Sequence, residues 1–339
     1  MSKEDNTNQR PVSLVTGGAG FIGAHVSREL LKLGHEVIVL DDLSGGFTEN
    51  LPDGVHFIQG SITDQSMIEA LFAHHQFTYV YHLAAYAAEG LSHFIRRFNY
   101  ENNLIGSINL INESVKYNVK CFVFTSSIAV YGKGQLPMRE DMVPQPEDPY
   151  GISKLAVELD LKCAHEMFGL NYVIFRPHNV YGEFQNIGDK YRNVVGIFMN
   201  QLMQGKSLSI FGDGKQTRAF SYIGDMAPHI ANCVNVTAAI NETINIGADK
   251  DYTVKELAEI VCDVLGKKGQ LQFLEARNEV VHAYSDHAKA HGIFGNALQT
   301  SLHAGIRKMA VWAQASGVRE SSKFGNIEIE KNLPPFWTK

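Results

Sequence analysis

The architecture of this 339-residue chain follows from one stretch, Val12-Ser-Leu-Val-Thr-Gly-Gly-Ala-Gly-Phe-Ile-Gly23. Its mostly apolar first half predicts a short buried strand, and its glycines predict a tight turn that leads into a helix. Gly18, Gly20 and Gly23 satisfy the pattern G-x-G-x-x-G. The related pattern G-x-x-G-x-x-G starts at Gly17. A strand, a glycine turn and a helix in this order predict a dinucleotide site, because backbone amides and the helix N-terminus can approach a pyrophosphate.

A second predicted strand ends in two acidic residues, Asp41 and Asp42. They lie about 20 residues beyond the glycines, where a carboxylate accepts hydrogen bonds from an adenosine ribose and repels a 2′-phosphate. The sequence therefore predicts NAD rather than NADP. Asp41 is the candidate ribose ligand, and its neighbour Asp42 is the alternative.

Further apolar stretches alternate with helical patterns along the first half of the chain. Strands are predicted at 55–59, 79–85, 121–127 and 172–177, and helices at 66–75, 101–118 and 151–168. This alternation predicts an α/β fold with a Rossmann-type, doubly wound parallel sheet. Ligands of such sheets lie beyond the carboxyl ends of the strands, so the residues that end each strand are the candidates for a site.

After Asn179 the alternation gives way to longer, glycine-punctuated segments, which predict a smaller C-terminal α/β domain that binds the substrate. A late strand at 243–247 is expected to return to the first sheet, and 253–266 has a capped helical pattern. We expect an NAD-binding domain of 11–178 with 219–248, a substrate domain of 179–218 with 249–335, and a disordered lead-in at 1–10. The last dozen residues, which include Pro334 and Pro335, are predicted to be a surface tail.

Composition excludes several classes of protein. With 30 basic and 36 acidic residues and no basic stripe, nucleic acid is not an expected partner. No apolar run approaches the roughly 20 residues that span a bilayer, and the polar start lacks the centre of a signal peptide. Four cysteines without C-x-x-C spacing predict reduced core thiols in a cytoplasmic protein. The histidines, including His287 and His291, form no ligand pattern, so no metal is expected.

Tyr150-Gly-Ile-Ser-Lys154 places a phenol and an ammonium on one face of a predicted helix, one turn apart. A phenol normally titrates near pH 10, and an adjacent ammonium lowers that pKa by stabilising the phenolate. Such a pair can shuttle the proton of an alcohol. The spacing also occurs by chance in many helices, so the rest of the chain decides its meaning.

Seven motifs in order resemble the extended short-chain dehydrogenase/reductases, specifically their nucleotide-sugar epimerase/dehydratase branch. The resemblance covers roughly residues 11–335. Its members in this chain are Thr16–Gly23, His82–Ala85, Asn102–Asn103, Thr125–Gly132, Tyr150–Lys154, Arg176–Gly182 and Phe211–Arg218. Within this branch the chain is most similar to the UDP-hexose 4-epimerases.

The resemblance implies a role for each matching position. Tyr150 would be the acid/base, Lys154 its activator and a ribose ligand, and Ser127 a hydrogen-bond donor to the reacting sugar oxygen. A tightly held, recycled NAD would contact Gly17, Gly20, Phe21, Ile22, Gly23, Asp41, Asp42, Ser61, Ile62, Leu83, Ala84, Ala85, Asn103, Ser126, Tyr150, Lys154 and Pro177. A nucleoside-diphosphate sugar would contact Ser127, Asn179, Asn193, Val194, Arg218 and Arg277, and the planar guanidinium groups of the two arginines suit a diphosphate.

The chain departs from its relatives in two places. Ser61 stands where many relatives have an aspartate that binds adenine, which predicts a weaker contact or one made by the backbone and Asp64. A charged loop follows the strand at 79–85. Its His93, Arg96 and Arg97 either touch the sugar or form a solvated helix face.

Relatives that dehydrate, decarboxylate or 3,5-epimerise their sugars resemble one another in carrying an acid or a cysteine just after the serine. Here those positions are Ile128 and Ala129, which cannot transfer a proton. The remaining set of Tyr, Lys, Ser and NAD predicts 4-epimerisation, in which C4 is oxidised and hydride returns to the opposite face.

The sugar and the rival functions stay open at this point. Uronate 4-epimerases resemble one another in an arginine that corresponds to Asn186 here, so a neutral UDP-glucose/UDP-galactose pair is favoured. Arg192 or Lys190 could instead meet a carboxylate, as in a UDP-glucuronate 4-epimerase. Other nucleotide-sugar epimerases, a 4-keto-sugar reductase and a non-enzymatic NAD sensor are the further alternatives. Helices 101–118 and 151–168 correspond to the dimer contact of relatives and imply a homodimer.

Overall fold

A computed structural model describes residues 10–276, 282–295, 299–320 and 324–338 of the chain. Its strands are β1 Val12–Thr16, β2 Glu36–Asp41, β3 His56–Gln59, β4 Tyr79–His82, β5 Cys121–Thr125, β6 Tyr172–Pro177, β7 Val180–Tyr181, β8 Leu208–Phe211, β9 Thr217–Ala219, β10 Ser221–Tyr222, β11 Glu242–Ile246, β12 Asp251–Thr253, β13 Leu271–Leu274 and β14 His282–Ala283. The predicted lead-in at 1–10 falls almost wholly outside these residues.

The helices connect and cover these strands. They are α1 Phe21–Lys32, α2 Gln65–His74, α3 Glu89–Ser92, α4 Arg96–Tyr100, α5 Gly106–Lys116, α6 Pro149–Phe168, α7 Val194–Met203, α8 Ile223–Asn232, α9 Val254–Leu265, α10 Ala288–Phe294, α11 Leu302–Ser316 and α12 Pro335–Thr338. A π-helical turn, Glu101–Ile105, joins α4 to α5, and short 3-10 turns occupy Thr48–Asn50, Ile128–Val130, Cys233–Asn235 and Thr237–Ala239.

Seven parallel strands form the main sheet, in the order β11-β6-β5-β4-β1-β2-β3. Successive side chains of β1 and β2 enter opposite cores, with Val15 and Val39 on one face and Leu14 and Leu40 on the other. Both faces are buried because helices cover each of them, which explains the continuous apolar strands in the sequence. The predicted doubly wound Rossmann sheet is confirmed.

The boundaries differ from those predicted mainly at the ends that approach the site. β4 ends at His82 and β5 at Thr125, and the residues beyond them form irregular loops. The helix predicted at 101–118 begins at Arg96 and passes through the π-helical turn. Such turns often occur near functional sites.

The later strands form small separate sheets, except β11. The strand predicted at 243–247 does return to the main sheet, because β11 pairs with β6 in parallel. β12, β9 and β14 form one small sheet, and β8 pairs with β13. The predicted helix at 253–266 is α9, whose capping box joins Thr253 and Glu256.

Two expectations are wrong in part. Residues 328–332 are exposed, as expected of a surface tail, but Trp337 of α12 is only 5 % exposed and packs with Ala88, Leu91 and Ile95. Cys163 is not a core thiol, because it lies on the exposed side of α6. In both cases tertiary packing, rather than local composition, decides the burial.

No helix in the described part of the chain has the length and apolarity needed to cross a membrane.

Candidate active site

A cavity of about 1900 Å³ lies at the carboxyl ends of the main-sheet strands. It runs from the glycine turn before α1 to the strands β8 and β13. Its lining includes every described residue that the resemblance assigns to cofactor or substrate, except Asn103. Arg277 lies outside the described residues, so its assignment stays a prediction.

The glycine turn is shaped for close approach of a ligand. Gly17 has φ +70°, and a β-carbon there would come within 2.8 Å of the Ala84 backbone. A β-carbon on Gly23 would overlap the carbonyl oxygen of Gly17. Gly20 caps α1 without a side-chain hydrogen bond, which leaves the first-turn amides for a ligand. These features fit the pyrophosphate of NAD.

The two acids after β2 occupy different environments. Asp41 is buried, and its carboxylate accepts hydrogen bonds from the amides of Ala19 at 3.0 Å and Leu43 at 2.8 Å. Burial raises the pKa of Asp41, and these amides oppose the rise. Asp42 is exposed and accepts a bond from the Ser44 amide. Both line the cavity, and Asp41 is the one whose oxygens are held in place.

Ser61, which stands where many relatives have an adenine-binding aspartate, lies at the end of the cavity next to β3. Ser61 and Ile62 line the cavity after β3. Asp64 instead caps α2 by accepting from the Met67 amide at 3.0 Å, and it does not line the cavity. The contact proposed through Asp64 therefore has no support, whereas one through the backbone at 61–62 does.

The catalytic candidates converge where α6 begins. Asp148 caps the helix by accepting from the Gly151 amide at 2.9 Å, which places Tyr150 in its first turn. Tyr150 is buried, and Ser127, which lies just after β5, is near enough to affect the pKa of its hydroxyl. Lys154 lies one turn further on the same face. A buried phenol, a hydroxyl and an amine therefore meet beside the cavity.

The charge state of this group differs from the sequence expectation. The Lys154 ammonium donates to the Thr125 carbonyl at 2.8 Å and lies 4.6 Å from the centre of the Phe124 ring. Its distance to the centre of the Tyr150 ring is 5.8 Å. Burial raises the pKa of Tyr150, although the nearby Ser127 hydroxyl opposes this, and burial lowers the pKa of Lys154 to about 7. Desolvation therefore raises the pKa of the Tyr150 phenol, whereas the sequence predicted that Lys154 would lower it.

Residues that no sequence motif singles out hold the start of α6. The Ser92 hydroxyl accepts from the Tyr150 amide at 3.3 Å, and Asn99 donates to the Pro149 carbonyl at 2.8 Å. Asn103, assigned to the cofactor, instead holds Tyr86 through that residue's amide and carbonyl. Asn103 is buried behind the cavity wall, so it acts on the site through the loop after β4. These contacts span many residues and leave no spacing pattern in the sequence.

The candidate substrate residues lie along the other half of the cavity. Asn179 and Asn193 have positive φ angles of 39° and 56°, and Asn193 caps α7. Val194 opens that helix. Arg218 donates to the Thr217 carbonyl at 2.8 Å and lines the cavity near β8. This half can therefore hold an anionic nucleotide.

The three charged residues of the loop after β4 have different surroundings. His93 lines the cavity, whereas Arg96 and Arg97 are exposed outside it, and Arg97 lies 3.7 Å from Glu101. Arg96 and Arg97 thus belong to a solvated helix face.

Three polar residues after β7, Asn186, Lys190 and Arg192, also line the cavity. The Arg192 guanidinium is 2.6 Å from the Asp189 carboxylate and 4.8 Å from the centre of the Tyr86 ring. Among the described residues, no three His, Cys, Asp or Glu side chains are grouped to hold a metal ion.

The chain is similar to nucleotide-sugar epimerases over most of its length. A putative UDP-glucose 4-epimerase of Methanocaldococcus jannaschii is 35% identical over 88% of this chain and 97% of its own length. The structure of Thermotoga maritima UDP-glucose 4-epimerase with UDP-glucose is 34% identical, with a TM-score of 0.85 over 90% of this chain and 99% of that one.

A third relative acts on a different sugar. The structure of Bacillus cereus UDP-glucuronic acid 4-epimerase with UDP-glucuronic acid and NAD is 28% identical, with a TM-score of 0.83 over 90% of this chain and 100% of that one. Residues 13–247 match the family model described as the NAD dependent epimerase/dehydratase family. This match, and the identity shared with the M. jannaschii relative, show that the chain belongs to the NAD-dependent epimerase/dehydratase family.

Proposed function

We propose that this NAD-dependent isomerase interconverts UDP-glucose and UDP-galactose by epimerisation at C4. One observation carries the proposal: Tyr150, Ser127 and Lys154 converge at the cavity, while the next two positions after Ser127 are Ile128 and Ala129. These two positions carry no acid, base or thiol, which are the groups that the dehydratases and 3,5-epimerases resemble one another in placing there. The site retains what oxidation and reduction of one alcohol require.

The chain's own residues handle the proton on the O4 oxygen. Tyr150 takes this proton as C4 is oxidised, and the Ser127 hydroxyl steadies the same oxygen. Bound NAD supplies the acceptor and later donor of hydride, together with a positive ring that favours the Tyr150 phenolate. Lys154 lies one helical turn from Tyr150, and in its protonated form it favours the phenolate that accepts the O4 proton. Burial of both side chains keeps water from competing for the proton.

Inversion requires the 4-keto sugar to present its other face. Asn179, Asn193 and Arg218 hold the nucleoside diphosphate while the sugar turns about the diphosphate link. Tyr150 then returns its proton to O4 from a fixed position. Orientation of the reacting groups, rather than a strong base, supplies much of the acceleration.

A UDP-glucuronate 4-epimerase is the second candidate. Lys190 and Arg192 line the cavity, and either can face a C6 carboxylate. Asn186 favours the neutral hexose, because an uncharged amide stands where the uronate enzymes resemble one another in having arginine. Arg192 already pairs with Asp189, which further reduces its share in binding a carboxylate.

The test is proton NMR of UDP-glucose and, in a parallel tube, UDP-glucuronate, each with purified protein and no added cofactor. Conversion of UDP-glucose to its C4 epimer at unchanged mass is the expected result. Conversion of UDP-glucuronate alone would select the second candidate. A 4-keto-6-deoxy sugar or a pentose product would overturn the proposal. In a separate assay with a 4-keto nucleotide sugar and added NADH, stoichiometric consumption of NADH would mark a reductase and also overturn it.

We also propose that the protein is a homodimer in which α5 and α6 form the contact between the two subunits. Ile152 and Leu159 of α6 are exposed on one side of the helix, and Ile105 is exposed just before α5. An apolar stripe of this kind favours packing of a second copy. Sedimentation velocity should give twice the monomer mass, and Leu159→Glu should shift the protein to monomer.

The predicted division of the chain stays a proposal. We propose an NAD-binding domain of 11–178 with 219–248 and a nucleotide-sugar domain of 179–218 with 249–335. Pairing of β11 with β6 supports the return segment. A cytoplasmic location is proposed from the absence of disulfides among the four cysteines.

A further inference from the structure

Three separate parts of the chain meet in an aromatic cluster beside the catalytic helix. Its members are Tyr86, Phe94, Phe98, Tyr191, Phe324 and Trp337. Phe324 lies with its ring centre 4.9 Å from Phe98 and 5.1 Å from Tyr86. Trp337 lies 5.5 Å from Tyr191 and 6.0 Å from Phe94. The last two members belong to residues 324–337, here called the C-terminal segment.

Polar contacts fix the C-terminal segment against α4. The two carboxylate oxygens of Glu328 accept from the amides of Arg97 at 2.8 Å and Phe98 at 2.9 Å. These amides lie in the first turn of α4, where the helix has no acceptor for them. The Phe94 carbonyl accepts in turn from the amide of Glu328 at 2.9 Å. The segment is therefore attached by directed bonds as well as by apolar packing.

The attachment lies one short helix away from the proposed base. A β-carbon on Gly90 would come within 3.1 Å of the Trp337 ring, so Trp337 rests directly on α3. At the end of the same helix, the Ser92 hydroxyl accepts from the Tyr150 amide. The C-terminal segment thus borders the part of the cavity in which the reacting sugar must lie.

The segment also contributes side chains to the cavity itself. Leu333, Pro334 and Trp337 are apolar, and Lys331 and Asn332 are polar. The nucleotide half of the cavity is lined by other elements, among them β8 and β13. We propose that the C-terminal segment is a wall of the hexose site: its apolar residues enclose the sugar, and Lys331 and Asn332 bind its substituents. This inference rests on the proposed epimerase function.

A wall at the sugar end of the cavity should affect the binding of UDP-glucose but not the binding of UDP. UDP occupies only the nucleotide half, whereas UDP-glucose also reaches the wall. In Glu328→Gln, an amide NH₂ group faces one of the two α4 amides, which loosens the attachment of the segment. We expect the Kd of UDP-glucose to rise about tenfold, as for loss of a pocket contact, while the Kd of UDP stays unchanged. Glu330→Gln, a neighbouring acid that does not line the cavity, is the matched control and should change neither.

Isothermal titration calorimetry on the NAD-loaded protein measures both constants without requiring turnover. Lys331→Ala combined with Asn332→Gly gives a second arm that removes both polar side chains, and glycine accepts the positive φ of 62° at position 332. This variant should weaken the binding of UDP-glucose alone. The ratio of kcat/KM for UDP-glucose to that for UDP-N-acetylglucosamine, which carries a larger C2 substituent, should also change in both variants. A purely structural role would leave that ratio constant.

The outcomes separate this inference from the function on which it rests. Unchanged UDP-glucose affinity in both variants, with epimerisation intact in the wild type, would overturn the wall and leave the function standing. Equal loss of UDP and UDP-glucose binding would also overturn it, since the segment would then support the whole fold. If the variants lose only UDP-glucose binding and the wild type epimerises neither UDP-glucose nor UDP-glucuronate, the wall is upheld and the proposed function is rejected.

Discussion

Glu158 and Arg176 form a buried, two-pronged ion pair behind the catalytic helix. Arg176 Nε donates to Glu158 Oε1 at 2.9 Å, and its Nη2 donates to Oε2 at 2.5 Å. The Ser126 hydroxyl donates to Oε1 as well, at 2.5 Å. Glu158 follows Lys154 by one helical turn and Tyr150 by two, so all three share a face of α6. The pair therefore fixes the catalytic face of α6 against β6.

Removing one partner of this pair should be costly. Glu158→Leu leaves the Arg176 guanidinium buried without a counter-ion, and we expect the free energy of unfolding to fall by about 3–5 kcal/mol. Urea denaturation measures this change. The double variant Glu158→Leu/Arg176→Met removes both charges and should recover most of the loss. Equal destabilisation of the single and double variants would show that the charges are not coupled.

Tyr150→Phe should separate binding from chemistry. Without its hydroxyl the chain cannot take the O4 proton, so turnover should fall by about 10²–10⁴ while bound NAD is retained. The matched control is Tyr81→Phe, which removes a buried hydroxyl that donates to the Ala231 carbonyl at 2.7 Å. The control should lose about 1 kcal/mol of stability and keep its turnover. Near-normal turnover in Tyr150→Phe would exclude this residue as the base.

The buried Lys154 should lower the free energy of unfolding at neutral pH. Its pKa falls from 10.5 to about 7 on folding, so the unfolded chain binds more protons between these values, and wild-type stability rises with pH across that range. Lys154→Met lacks this penalty and should be more stable at pH 7 by about 1–3 kcal/mol, although inactive. The advantage should shrink as pH approaches 10.5 in thermal melts. Parallel pH profiles for the two proteins would contradict this account.

Two buried histidines should make the fold sensitive to acid. The pKa values of His82 and His178 fall from 6.5 to about 3, chiefly through burial. His178 Nδ1 lies 2.8 Å from the Ala219 carbonyl, which can only accept, and His178 Nε2 lies 3.0 Å from His287 Nε2. A second proton on His178 would therefore place a buried positive charge beside another imidazole ring.

Because the unfolded chain protonates these histidines first, stability should fall as pH drops from 6.5 to about 3. Each histidine should contribute about 1.4 kcal/mol per pH unit within that window. His178→Asn should be less stable at neutral pH, because it loses the His287 bond, but should show a slope smaller by one proton. Urea unfolding at several pH values gives the slope, and an unchanged slope would reject the assignment.

Gly23 and Gly292 offer a matched pair of helical glycines. A β-carbon on Gly23 would overlap the Gly17 carbonyl oxygen, whereas one on Gly292 meets nothing within 4 Å. Gly23→Ala should therefore distort the turn and release NAD, and Gly292→Ala should retain it and gain up to about 1 kcal/mol of stability. The ratio of absorbance at the cofactor and protein bands of purified protein reads this directly. Full NAD content in Gly23→Ala would show that the turn adapts.

The parallel sheet and the glycine turn were predictable because their causes are local. Continuous apolar strands record burial on both faces, and Gly17 records a positive φ that few other residues adopt. The wall formed by the C-terminal segment was not predictable, because nothing near Trp337 indicates the aromatic residues some 240 positions earlier that bury it. Likewise Asn103 matched a cofactor motif, yet its amide is taken by Tyr86.

By itself the sequence determined the order of strands and helices, the cradle for a pyrophosphate, and the spacing that puts Tyr150 and Lys154 on one helical face. These depend on backbone geometry within a few residues. Only the tertiary structure decided the protonation of that pair, the Glu158–Arg176 contact and the enclosure of the sugar end of the cavity. Desolvation and side-chain pairing depend on atoms brought together from distant parts of the chain, and periodicity along the chain does not encode them.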